Sequence, residues 1–327
     1  MARLLASVDR DRIVVSTNND STASIPKPKY LAALSDVEKK DFLDSFEYVL
    51  SDCDGVIWDM EKIIEGAGEA YNRLKEAKKE IIYITNNSVR PPENYLEQFK
   101  AAGIEVDLND IIHPARSIVD YLKEIKFQGI IYCIATEIFK NVLRNAGYEI
   151  IDGPNKILEE SYTELAKHVF GKEPVRAVVI DVDFNLSAPK LIRAQQYLNH
   201  PDCILIAGAT DVHLPIKKGV SILGPGSFPK ILSEATGKKP SVLGKPGWDL
   251  GQIIIRRYGI KDASRVLVIG DMLEQDIAFG KICGFQTLAV LTGGCTKEDL
   301  NKKNLPFEET PDFYTDSVAD FVKLFTN

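Results

Sequence analysis

Short apolar runs, each ended by a polar turn and followed by helical spacing, recur along the chain. Tyr48-Val49-Leu50 leads into Ser51-Asp52-Cys53-Asp54-Gly55. From Gly66 to Glu80 the apolar positions Ala70, Tyr71, Leu74 and Ala77 share one face, which predicts a helix. Ile81 to Ile84 is a second buried run, ending at Thr85-Asn86-Asn87-Ser88, and another helix runs from about Glu93 to Gly103, a fitting left-handed stop. The middle repeats the alternation: Ile130 to Ala135, a helix over Glu137 to Ala146, Tyr148 to Ile151, a helix near Leu158 to Phe170, and Val175 to Ile180. A helix over Ser187 to His200 follows, with Ser187 as N-cap and Pro189 in its first turn, then Cys203 to Ala207. Near the end, Arg265 to Ile269 leads to Gly270-Asp271, and Gln286 to Leu291 leads to Thr292-Gly293-Gly294.

Continuous apolar strands separated by helices predict an α/β fold with a doubly wound parallel sheet covered on both faces. Ligands in such sheets sit beyond the carboxyl ends of the strands, which is where the polar clusters fall. The clusters lie before and after the middle segment. The expected architecture is therefore a Rossmann-like core built from residues 26–127 and 237–327, with an α/β cap domain inserted over 128–236. Residues 1–25 read as a polar leader.

Composition narrows the function. At roughly 150 residues per domain, 327 residues make about two domains, in line with the inserted cap. A net charge of −7 disfavours a general nucleic-acid binder. No run reaches the roughly 18 apolar residues needed to cross a bilayer, and Asp9, Asp11 and Asp20 interrupt the N-terminus. Cys53, Cys133, Cys203, Cys283 and Cys295 are odd in number and scattered, which argues against a disulfide framework or zinc site and for a reducing cytosol.

Four clusters can carry chemistry. In Asp52-Cys53-Asp54-Gly55, one carboxylate could attack phosphorus while the other passes protons to the leaving oxygen and from water. Thr85-Asn86-Asn87 offers a hydroxyl, amides and backbone N–H groups that suit phosphate oxygens. Lys245, between Gly244 and Pro246, could offset charge on the attacking carboxylate and the phosphoryl group. In Gly270-Asp271 to Asp276, Asp271 could bind a hard cation, and Asp276 could hold a metal-bound water or orient Lys245. Asp52, the backbone carbonyl of Asp54, Asp271, waters and a phosphate oxygen would fill the roughly six-oxygen shell of Mg²⁺. Each cluster also has a plainer reading: an Asp-rich turn, a capped polar turn, a solvated lysine, and an acidic first helical turn.

Taken together, in this order and each after an apolar run, the clusters resemble the haloacid dehalogenase superfamily of aspartate-nucleophile phosphotransferases. The stretches DCDGVIW, ITNNS, GPGSF, VLGKPGWDL and VIGDMLEQDIAFGKICGFQTLAVLTGG resemble its 4-nitrophenyl phosphatase branch, which includes phosphoglycolate and pyridoxal-phosphate phosphatases. The likeness covers roughly Phe46 to the C-terminus. It implies Asp52 as nucleophile, Asp54 as general acid and base, and Lys245 as the stabilising cation. It further implies Thr85, Asn86, Asn87 and Lys245 around the phosphoryl group, Mg²⁺ held by Asp52, Asp54 and Asp271, and Asp276 in support. The substrate would be a small phosphate monoester, and two copies would pair through the cap.

The chain departs from the family's pattern in three places. The cap loop carries Gly208 and Ala209 where Thr and Asn/Asp usually stand, although Asp211 is kept. Asp211 and His213 are its candidates for reading the substrate. Ala135-Thr136-Glu137-Ile138 replaces a usual Gly-Glu-Glu-Gly, and Met272 replaces an Arg. The other histidines, His113, His168 and His200, read as surface or capping residues, Trp58 and Trp248 as packing, and Cys53 as a small buried spacer. Two rival readings of the chain are a phospho-aspartate signalling module of the receiver type and a catalytically silent phosphometabolite binder.

Overall fold

The apolar runs assemble into two separate parallel sheets. The computed structural model describes residues 26–217 and 220–325, so the leader expected over 1–25 lies outside the described residues. The first sheet has seven strands in the order Lys29–Tyr30, Phe313–Thr315, Gln286–Val290, Val266–Gly270, Tyr48–Ser51, Glu80–Ile84 and Ile111–Ile112. The second has five, in the order Ser241–Val242, Ile204–Ala207, Val175–Ile180, Ile130–Ile134 and Ile150–Ile151. Every pairing within these two sheets is parallel.

Side chains alternate across a strand, and here both faces are covered, so the runs are apolar throughout. In the first sheet Val49, Ile81, Tyr83, Leu267 and Ile269 enter one core, while Leu50, Ile82, Ile84, Val266 and Val268 enter the core on the other face. The second sheet repeats this, with Ile131, Cys133, Ala177, Val179 and Ile206 on one side and Tyr132, Ile134, Val178, Ile180 and Leu205 on the other. Each fully buried aliphatic side chain contributes about 1.5–3 kcal/mol, so these layers dominate the stability of both units.

Several boundaries differ from those the sequence suggests. The helix expected over 66–80 is Ala67–Glu76. Leu74 is its last buried residue, Lys78 turns left-handed with φ +59°, and Glu80 already pairs with Tyr48 in the sheet. The helix expected near 158–170 is Tyr162–Val169, started by Ser161, whose hydroxyl accepts from the Glu164 N–H. Ser187 stands at its expected N-cap position, yet its side chain makes no capping bond. A hairpin of His213–Lys217 with Val220–Leu223, not anticipated from the periodicity, follows the cap loop.

The insert is also larger than 128–236. Strand Ser241–Val242 pairs with Ile206 and Ala207, so the second sheet ends beyond 236. Helix Pro114–Glu124 packs Ala115, Ile118, Val119 and Leu122 into the core of the second sheet, so its packing starts before 128. An apolar helix face between two sheets buries itself where the complementary core lies, which chain position does not reveal.

The carboxyl end of each sheet releases polar residues: Ser51 to Asp52, Ile84 to Thr85 and Gly270 to Asp271 in the first, and Ile180 to Asp181, Ala207 to Gly208 and Val242 towards Lys245 in the second. Hydrogen bonds from Asn86 to Asp211 and Lys245, and from Ser88 to Asp181, join the two edges.

Candidate active site

Asp52 extends its strand by one ladder bond, donating its N–H to the Ile269 carbonyl at 2.8 Å. Its buried Oδ1 lies 2.8 Å from Lys245 Nζ. Lys245 reaches it from the exit of the second sheet, and its ammonium also meets Asp276 Oδ1 at 2.6 Å and the Ile84 carbonyl at 3.3 Å. Burial works against the Lys245 charge, but Asp276 and Asp52 outweigh it and hold the ammonium above its ordinary value. Burial pushes Asp52 well up, while Lys245 opposes that and favours the carboxylate.

Asp271 follows Gly270 at the next strand end. Its Oδ2 accepts from the Gly294 N–H at 2.6 Å, whereas its buried Oδ1 has no partner among the described residues. Burial, with the Asp276 charge beside it, pushes Asp271 up to about 7. A π-type turn over Leu273–Ile277 folds Asp276 back, so that its Oδ2 accepts from the Met272 N–H at 3.0 Å. Carboxylate oxygens of Asp52, Asp271 and Asp276 lie within 4.8 Å of one another. When all are ionised, three carboxylates against one ammonium leave two negative charges, and the bare Oδ1 of Asp271 marks where a counter-charge is wanted. This donor set of hard oxygens fits Mg²⁺.

The side chain of Asp54 stands outside that cluster of three carboxylates. Its Oδ1 accepts from Trp58 Nε1 at 2.9 Å and faces Arg90 Nη2 at 3.3 Å, while its buried Oδ2 has no partner among the described residues. Between the two acids, Cys53 is a buried spacer, as expected. Gly55 must be glycine: its φ is +81°, and a Cβ there would stand 2.3 Å from Asp271 Oδ2.

The Thr85-Asn86-Asn87 turn differs from expectation in how it can serve an anion. Asn86 Oδ1 accepts from the Lys245 N–H at 2.8 Å, and its amide donates to the Lys245 carbonyl and to Asp211 Oδ2, both at 2.9 Å. Asn87 Oδ1 accepts from the N–H groups of Val89 and Arg90, each at 3.2 Å. The Asn86 side chain and the Asn87 side-chain oxygen are thus spent on building the loop. What remains for a phosphoryl oxygen is the buried Thr85 hydroxyl, whose oxygen accepts from the Asn87 N–H at 3.0 Å, together with the Asn86 N–H and the Asn87 side-chain amide nitrogen, neither of them partnered among the described residues.

Of the cap-loop candidates, Asp211 is drawn in through Asn86, and burial raises its pKa. His213 is exposed at the start of the hairpin, and no hydrogen bond or ion pair joins it to the site among the described residues.

Asp181, absent from the sequence candidates, explains the altered loop. Fully buried, it accepts from the N–H groups of Val182 and Ala209, each at 2.7 Å, and from the Ser88 hydroxyl. A Cβ on Gly208 would lie 1.9 Å from Asp181 Oδ2. Gly208 and Ala209 therefore fit around a carboxylate that ties the cap loop to the Asn87-Ser88 turn. The available signal was positional: Asp181 ends an apolar strand, like the acids that were singled out. Trp58 and Arg90 were missed because their role depends on where Asp54 turns.

A family model described as haloacid dehalogenase-like hydrolase matches residues 49–149, and one described as HAD-hydrolase-like matches residues 242–321. The chain is 30% identical over 298 residues to phosphoglycolate phosphatase 2 of Arabidopsis thaliana, covering 89% of this chain and 97% of that one. It is 30% identical to the 4-nitrophenylphosphatase of Schizosaccharomyces pombe, covering 86% and 95%. Among solved structures, the p-nitrophenyl phosphatase from Archaeoglobus fulgidus superposes with a TM-score of 0.71 at 27% identity, covering 85% and 99%. This chain belongs to the haloacid dehalogenase-like hydrolases. Within them it is a phosphatase, a hydrolase of phosphoric monoesters, and these relatives do not favour the signalling or silent alternatives.

Proposed function

We propose that this phosphatase works through Asp52 as nucleophile and Asp54 as general acid and base. An Asp52 oxygen bonds to phosphorus as the bond to the leaving oxygen breaks, and Asp54 gives that oxygen its proton. A water, deprotonated by Asp54, then attacks phosphorus and frees Asp52 and inorganic phosphate. The observation that carries this division of roles is the unequal setting of the two acids. Asp52 lies against the Lys245 ammonium, which favours its ionised form. Asp54 keeps one buried oxygen bare among the described residues, as a proton carrier needs. Lys245, the Thr85 hydroxyl and the Asn86 N–H would hold the phosphoryl oxygens, with Asp211 and His213 at the cap side of the substrate.

Mg²⁺ would be held by Asp52, Asp271 and the Asp54 carbonyl, with Asp276 beside them; when bound, it supplies positive charge against the phosphoryl oxygens. Millimolar Mg²⁺ should raise the melting temperature of the wild-type chain and leave that of Asp271→Asn unmoved.

The substrate class is a small monoester resembling phosphoglycolate or pyridoxal phosphate, with 4-nitrophenyl phosphate as a generic probe. We further infer a homodimer paired through the cap, which exposes Ile157, Tyr162, Phe170 and Phe184; light scattering tests it. Five buried, unpaired cysteines suit a cytosolic setting, and no described helix is long and apolar enough to cross a membrane. Asp52→Asn tests the core reading: turnover of 4-nitrophenyl phosphate should fall by more than about 10³-fold with the fold intact. Retained turnover would remove Asp52 from the nucleophile role.

A further inference from the structure

We propose that Arg90 is a positioning residue for Asp54: with Trp58 it pins one carboxylate oxygen and leaves the other to serve the leaving group. The inference rests on the phosphoryl-transfer reading above and names a residue that reading does not use. A carboxylate turns about its Cβ–Cγ bond unless something holds it, and a misdirected proton donor loses most of its effect. Here Oδ1 takes the Trp58 indole N–H at 2.9 Å and faces Arg90 Nη2 at 3.3 Å. With donors on that oxygen, the acid proton belongs on Oδ2, the buried atom without a partner among the described residues.

Arg90 is itself held from several sides. Its guanidinium carbon lies 5.8 Å from the Trp58 ring centroid and 5.2 Å from that of Tyr95. Its Nη1 donates to Gln98 Oε1 at 2.6 Å. Its backbone N–H is fixed by Asn87 Oδ1, and the Tyr95 hydroxyl donates to the Asn87 carbonyl at 2.8 Å. The loop that carries Thr85 and Asn86 thus also sets the aim of Asp54, linking phosphoryl binding to proton delivery.

Leaving-group dependence tests this, because 4-nitrophenolate departs without a proton whereas unsubstituted phenolate gains from one. Only kcat/KM is compared, since it reports formation of the aspartyl-phosphate. Arg90→Met keeps the aliphatic packing on both rings but removes the cation. It should stay within about threefold of wild type on 4-nitrophenyl phosphate and lose about tenfold or more on phenyl phosphate. Arg90→Lys should recover part of the phenyl phosphate rate, and Trp58→Phe should shift the same ratio, which guards against a folding defect in any one variant. Equal losses on both substrates would place Arg90 on the shared phosphoryl group and overturn the proposal, as would no loss on either. Asp52→Asn, assayed in parallel, separates the two levels: failure of the ratio test while Asp52→Asn is inactive sinks the positioning role and leaves the phosphatase chemistry standing.

Discussion

Asn86 and Lys245 grip each other at two points: the Asn86 side chain accepts from the Lys245 N–H at 2.8 Å and donates to the Lys245 carbonyl at 2.9 Å. These residues are 159 positions apart, and each stands just past the end of a strand from a different sheet. The amide thus does for Lys245 what a neighbouring strand would, and sets where its ammonium meets Asp52.

Removing that grip should therefore act on catalysis through Lys245. Asn86→Ala is expected to cost about 1–3 kcal/mol of stability, because it strands the Lys245 N–H and leaves the Lys245 carbonyl with the Thr210 hydroxyl alone. It should lower kcat/KM on 4-nitrophenyl phosphate by about tenfold or more. Asn86→Asp should be worse than Ala, since it sets a second carboxylate against Asp211 and keeps only the acceptor. Denaturant melts and steady-state kinetics check both, and an Asp variant as active as wild type would refute the strut role.

Lys245 is enclosed, with side-chain exposure of 4%, between Asp52 at 10% and Asp276 at 1%. Lys245→Met leaves those carboxylates close together without their cation. Breaking a buried pair in this way typically costs about 3–5 kcal/mol, so the variant should be both inactive and markedly less stable. A variant that loses activity but melts like wild type would mean that the carboxylates are not stabilised by this ammonium.

Gly55→Ala meets two obstacles at once, the left-handed backbone and the Asp271 carboxylate at 2.3 Å. We expect a stability loss of about 1–3 kcal/mol. A displaced Asp271 should also weaken the Mg²⁺-dependent rise in melting temperature. Calorimetry with and without the ion measures both.

Asp181 should leave a pH signature in stability. Burial raises it from 3.8 to about 6, against the pull of Ser88, Ala209 and Val182. The folded state then holds a proton that the unfolded chain releases sooner. The resulting stabilisation is complete below the unfolded value and is lost as pH rises through about 6. Across that window the difference is about 3 kcal/mol, at about 1.4 per pH unit. The stability of wild type relative to Asp181→Asn should therefore increase as pH falls from 7.5 to about 4.5. A gap that stays constant would show that Asp181 does not titrate there.

Much of the site is local information. Asp52, Asp54, Asp271 and Lys245 are legible because each follows a run that only a buried strand explains, and a parallel sheet delivers strand ends to one edge. Asp276 is legible by its short distance along the chain from Asp271. The positions that misled are those whose partners are remote. Asn86 carries a side-chain amide suited to phosphate, but that amide is spent on Lys245, 159 residues away, and on Asp211. Gly208 and Ala209 looked like a loss of polarity until Asp181 occupied the space beside them.

The order of residues alone determined the two strand–helix sets, the faces they bury and the acids at their ends, because periodicity and turn chemistry act over a few neighbours. Tertiary structure decided which sheet owns Ser241–Val242, which asparagine holds Lys245 and which oxygen of Asp54 stays bare. Those outcomes depend on distances and hydrogen-bond directions between groups from different segments, 159 residues apart for Asn86 and Lys245, and such quantities exist only once the chain has folded.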